Sequence, residues 1–147
     1  MRADFSIYFC NKIISEYYQT LMKKVIFSKL APSPLGPYSQ AILNNDTLYV
    51  SGQIAIDQST GNFVSDGIEN ETHQVMKNLG YVLEAAGMDY SNVVKCSIFV
   101  RDMNDFVSIN NVYATYFEEA TAPARETVQV ARLPKDVGIE ISCIAVK

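Results

Sequence analysis

Residues 67–86 carry a helical repeat that constrains the rest of the chain. Ile68, Thr72, Val75, Leu79, Val82, Leu83 and Ala86 recur at i, i+4 and i+7 spacing, which gathers them on one face of an amphipathic helix. Gly87 follows, where a helix ends in a left-handed residue. A helix of this kind needs a flat apolar partner, and the flanking segments supply one. Val25–Phe27, Tyr38–Leu43 and Thr47–Ser51 read as strands before it, with Asn44-Asn45-Asp46 as hairpin-turn chemistry. A second turn is expected over Asp57–Asn62. Asn92–Val100 is a strand after the helix, with Val94, Cys96, Ile98 and Val100 on one face and Lys95, Ser97 and Phe99 on the other.

A second stripe, Phe106, Ile109, Tyr113 and Phe117, predicts a helix starting at a cap on Asp102 or Asn104 and running to about Glu119. Two strands close the chain, Ala124–Ala131 and Gly138–Val146, parted by a Leu133-Pro134-Lys135-Asp136 turn. Each helix joins two strands, so right-handed crossovers can lay both helices on one face of the sheet. The expected fold is therefore α+β: a two-layer sandwich with a mixed sheet of about six strands and two helices on one face. Several strands are apolar on both sides, and self-association is the economical cover for the face without helices.

Residues 22–147 read as a single domain within a chain of 147 residues. Residues 1–21 differ: Ile13, Ile14, Tyr17, Tyr18 and Leu21 can line a short amphipathic face, or the segment is a dispensable extension upstream of a functional start at Met22. The net charge is −4, which disfavours nucleic acid as a partner because a phosphate backbone is normally met by a Lys/Arg surplus. Cys10, Cys96 and Cys143 are odd in number and widely spaced, against a disulfide framework and for a reducing, cytoplasmic setting. No run is long and apolar enough for a bilayer. One histidine, His73, leaves too few ligands for a catalytic zinc site and reads as an exposed imidazole off its helix's apolar stripe.

What stands out is polar chemistry in strands. Arg125 and Thr127 share a strand face by period 2, and a guanidinium fork there can hold a carboxylate bidentately. The same pattern allows a rim arginine paired with a neighbour such as Glu126. Glu140 interrupts the apolar run Ile139-Glu140-Ile141; it is either a general base with a raised pKa or simple outward alternation. Tyr38 follows the stiff Gly36-Pro37 pair, Ser51-Gly52 ends a strand, and Asn104 can be a helix cap.

Six segments in order, Gly36–Ala41, Ser51–Ile54, Arg101–Phe106, Pro123–Arg125, Val130–Lys135 and Ile139–Ile141, resemble the RidA/YjgF family of reactive-intermediate deaminases over Met22–Lys147. The resemblance implies a chorismate-mutase-like fold assembled as a homotrimer with clefts between subunits. It also implies deamination of 2-iminobutanoate and 2-iminopropanoate, small 2-imino or 2-oxo carboxylic acids as partners, and no metal or organic cofactor. By motif position Arg125 would bind the substrate carboxylate and Glu140 would hold the attacking water, helped by the backbone around Thr127. Tyr38, Ser51, Gly52 and Asn104 would line the pocket, Tyr38 from a neighbouring subunit. Many members carry cysteine where this chain has Thr127. The competing readings are an endoribonuclease, as relatives have been labelled, and a non-catalytic module that binds 2-oxo acids.

Overall fold

A computed structural model of the chain describes residues 23–147; the expectations for residues 1–21 lie outside the described residues. Six strands form one sheet in the order β1-β2-β3-β8-β6-β7. They are β1 (Lys24–Ile26), β2 (Ala41–Asn44), β3 (Thr47–Gln53), β6 (Val93–Val100), β7 (Ala124–Gln129) and β8 (Ile139–Val146). Only β6 and β7 run parallel; every other pair is antiparallel. The sheet is mixed, as expected, and among the described residues two α-helices complete it: α1 (Ile68–Ala85) and α2 (Phe106–Ala114). A small second hairpin, β4 (Ile56–Asp57) with β5 (Asn62–Phe63), encloses the predicted Asp57–Asn62 turn.

The local signals act as their chemistry requires. Asn45 takes φ 53 in the tight turn that pairs Asn44 with Thr47. Gly87 takes φ 70, and the Met88 N–H reaches back to the Leu83 carbonyl at 3.0 Å, closing α1. The predicted stripe of α1 is buried from Thr72 to Ala86, with Met76 added to it. Its partners are the inward residues Cys96, Ile98 and Val100 of β6 and Ile139, Ile141, Cys143 and Ala145 of β8.

Two elements depart from the expectation. β6 carries a bulge: Val93 pairs with Ala145 and Lys95 with Ile144, so Val94 is squeezed out of register. Val93 is then the buried residue, and Val94 is displaced to the surface. The second helix begins after a 3-10 turn at Met103–Asp105 and stops at Ala114. The Thr115 hydroxyl bonds the Val112 carbonyl at 2.7 Å, and Tyr116 and Phe117 leave the helix to pack on Tyr90. His73 is held there too, with Nδ1 3.0 Å from the Tyr116 hydroxyl, so it is not the exposed imidazole its helix position suggested.

Among the described residues no helix covers the sheet's second face. A row of side chains crosses it from Val25 through Ile42, Tyr49 and Ile144 to Lys95. On that face Lys95 and Ser97 both engage Glu126.

Gln40 organises the proline-rich loop before β2. It is 1% exposed, accepts the Ser28 N–H at 2.6 Å, and donates to the carbonyls of Ser28, Ala31 and Pro32 at 3.1, 3.1 and 2.8 Å. Three prolines deny this loop any ladder of its own, so one buried amide replaces it. Gln40→Leu leaves those buried groups unpaired and should cost about 1–3 kcal/mol of stability, read as a fall in the urea midpoint at unchanged slope.

Candidate active site

Glu140, Ser51, Gly52 and Tyr38 lie around one groove of about 660 Å³, with Leu35, Ile54, Pro134 and Lys135 among its other walls. A bulge in β3 makes the groove. Val50 pairs with Cys143 and Gln53 with Ile141, so Ser51 and Gly52 together face Ser142, and the extra residue turns the backbone toward β8. A Cβ on Gly52 would overlap the Glu140 carboxylate; only glycine lets that side chain lie there. The Ser51 hydroxyl donates to the Ser39 carbonyl at 2.7 Å, and the Tyr38 hydroxyl accepts the Leu35 N–H at 3.3 Å. Glu140 is half-buried, and that burial pushes its carboxyl above the ordinary value of 4.5.

Arg125 belongs to a different surface. Its guanidinium stacks 4.9 Å from the Tyr113 ring and 5.8 Å from the Phe106 ring, and Nη1 donates to Asn110 Oδ1 at 2.8 Å. All three contacts come from α2. No carboxylate pairs with it among the described residues: Glu126 is taken by Lys95 on the opposite face. Thr127 lies two residues on, its hydroxyl buried without a hydrogen-bond partner. Cys96 and Cys143 behave as core hydrophobes, with burial pushing both thiols up.

The sheet separates the two groups. Arg125 pairs in register with Cys96 and Thr127 with Ile98, both inward residues of β6. Glu140 pairs with Phe99, on the face without helices. Period-2 alternation makes this a fixed relation: in one chain Arg125 and Glu140 point to opposite sides of the sheet. Asn104 sits in the exposed turn before α2, its N–H capped by Asp102 at 2.9 Å; the next residue back, Met103, is tied to Gln129 of β7 at 2.9 Å. Asn110, which the sequence did not single out, is the asparagine that touches Arg125. Its signal was helical: Phe106, Asn110 and Tyr113 follow i, i+4, i+7 spacing and share one face. No group of three or more His, Cys, Asp or Glu side chains gathers as metal ligands would among the described residues.

A family profile described as Endoribonuclease L-PSP matches residues 28–147. The human protein named 2-iminobutanoate/2-iminopropanoate deaminase is 46% identical over 128 residues, 87% of this chain and 93% of its own. This chain belongs to the RidA/YjgF family. The Yersinia pestis Rid-family protein YyfA superposes with a TM-score of 0.83 at 47% identity, over 86% of this chain and 100% of that one. E. coli TdcF, solved with bound serine, gives 0.79 at 39% identity over 84% and 98%. No helix among the described residues is long and apolar enough to cross a membrane.

The raised Glu140 carboxyl has a consequence for stability. The folded protein resists ionising it, so the stability it contributes is full below about pH 4.5 and is lost as pH rises through the folded value. Glu140→Gln removes that loss. Its melting temperature relative to the parent should therefore rise between about pH 4 and pH 7 in thermal melts.

Proposed function

We propose that this protein hydrolyses 2-imino acids and their enamine tautomers, such as 2-iminobutanoate and 2-iminopropanoate, to 2-oxo acids and ammonia. The observation that carries this reading is Arg125: a guanidinium held on one side by an amide and two rings, with no carboxylate partner in its own chain among the described residues. Holding a cation in place without neutralising it suits capture of a small carboxylate. The buried, unpartnered Thr127 hydroxyl beside it is a further polar contact for such a ligand.

The chemistry asks for little more. An imine carbon is already electrophilic, so hydrolysis needs orientation, a placed water and proton transfer. Water adds to the carbon, the C=N electron pair moves to nitrogen, and Glu140 takes the proton from oxygen. Glu140 returns that proton to nitrogen to give the carbinolamine; the new hydroxyl's proton then passes to nitrogen as well, the C–N bond breaks, and ammonia leaves as the oxygen electrons form the carbonyl. A carboxyl raised by burial is a better proton acceptor for this exchange than an ordinary one.

Arg125 and Glu140 act together only if they come from different copies of the chain. β7 is an edge strand, so Arg125 stands at a margin that the helix-free face of a second copy can reach. The apolar row on that face, with Val25 and Tyr49 about half exposed, supplies a reason for copies to meet. Three copies related by a threefold axis would repeat the contact and close it, with Tyr38, Ser51, Gly52 and Glu140 from one subunit and Arg125, Thr127 and the α2 residues from the next. Asn104 would stand at the rim. The names of relatives, including the human deaminase, support the same activity. The profile's description names an endoribonuclease, but the −4 charge disfavours an RNA substrate.

A threonine dehydratase generating 2-iminobutanoate provides the assay. Added protein should speed loss of the imine, and Arg125→Lys should lower kcat/KM by about 10- to 100-fold, since lysine keeps the charge but loses the fork. No acceleration by the unmutated protein would end the enzymatic reading, and RNA cleavage abolished by Arg125→Ala would favour the ribonuclease. Multi-angle light scattering should give three times the chain mass; a monomer would rule out the shared cleft.

A further inference from the structure

Glu71 lies in α1 and is 8% exposed, yet no Lys or Arg pairs with it among the described residues. Its Oε2 accepts the main-chain N–H of Gly138 at 2.7 Å. The Gly138 carbonyl accepts the Arg101 N–H at 2.9 Å. Both polar main-chain groups of this residue are thus fixed immediately before β8 starts at Ile139. The fit is close: a Cβ on Gly138 would come within 2.8 Å of Ile68 Cδ1 and 2.9 Å of Glu71 Oε2.

Strain lies just upstream. Lys135 and Asp136 both adopt left-handed backbone, φ 60 and 59, which side-chain-bearing residues keep only where their surroundings hold them. Arg132 grips the Asp136 carboxylate through two bonds of 2.6 and 2.8 Å, and Arg101 Nη1 donates to the Asp136 carbonyl at 3.2 Å. Pro134 and Lys135 of this turn wall the groove, and Glu140 stands two residues past Gly138 on its other side. The Glu71 contact is the joint between the strained turn and the groove's carboxylate.

We infer that Glu71 is a positioning residue for the Glu140 half of the site, clamping Gly138 so that Glu140 and the Lys135 turn hold their places. This rests on the imine-hydrolysis reading for its kinetic consequence, but the clamp itself does not. The contact needs an acceptor oxygen rather than a charge, and glutamine supplies the same oxygen. Glu71→Ala should therefore lower kcat for imine hydrolysis by about 10- to 100-fold while KM, governed by the untouched Arg125 half, stays within about twofold. Glu71→Gln should restore kcat. Limited trypsin digestion gives a readout independent of activity: cleavage after Lys135 should quicken in Glu71→Ala and return to the parent rate in Glu71→Gln.

If Glu71→Ala does not fold by far-UV circular dichroism, Glu71→Asp takes its place, withdrawing the carboxylate by one methylene, and must show the same loss. A folded Glu71→Ala with parental kcat and parental cleavage overturns the inference, as does equal loss in the Ala and Gln variants. Should the unmutated protein hydrolyse no imine, the deamination reading fails alone, and the trypsin comparison still decides the clamp.

Discussion

The last strand in the sequence occupies the middle of the sheet, and the site depends on that placement. β8 lies between β3 and β6, with Ile139, Ile141, Cys143 and Ala145 closing the core beneath the helices. Because a strand's side chains alternate, Glu140, Ser142 and Ile144 must take the other face. Glu140 cannot be turned toward the helices without expelling the centre of the core. The same register carries across β6 to β7 and commits Arg125 to the helix side.

The two halves of the proposed site are consequently built by different means. Arg125 is held from α2 by an amide acceptor and two aromatic rings, contacts that orient a cation without neutralising it. Glu140 is held by shape: a bulge, a glycine that leaves it room, and a strand start pinned by Glu71. Within one chain the two groups do not influence each other. Burial alone raises the Glu140 carboxyl, with no contribution from Arg125.

Where the sequence was legible, the signal was local and repeated. The α1 stripe, the Asn45 turn and the glycine after α1 each rest on several residues or on one backbone requirement, and each stands in the structure. The departures were set by distant partners. Val94 leaves the inward face of β6 because its pairing with β8 needs a bulge. The second helix ends at Ala114 because Tyr116 and Phe117 find their packing on Tyr90, a residue between α1 and β6. The i, i+4, i+7 spacing of Asn110 with Phe106 and Tyr113 gives a face but no role until the arginine it meets is known, whereas Asn104 stands in a motif.

By itself the sequence determined the element types, the mixed six-stranded class and the kinship from which Arg125 and Glu140 are proposed as the chemistry-bearing pair. Those follow from periodicity, turn chemistry and ordered motifs, all readable along one dimension. Only the tertiary structure decided that this pair points to opposite faces of the sheet. That depends on which strand pairs with which and in what register, and hydrogen bonds between strands remote in the chain set both. Alternation within Ile139-Glu140-Ile141 and Ala124-Arg125-Glu126 says that each strand has two sides; the Cys96–Arg125 and Phe99–Glu140 pairings say which side is which.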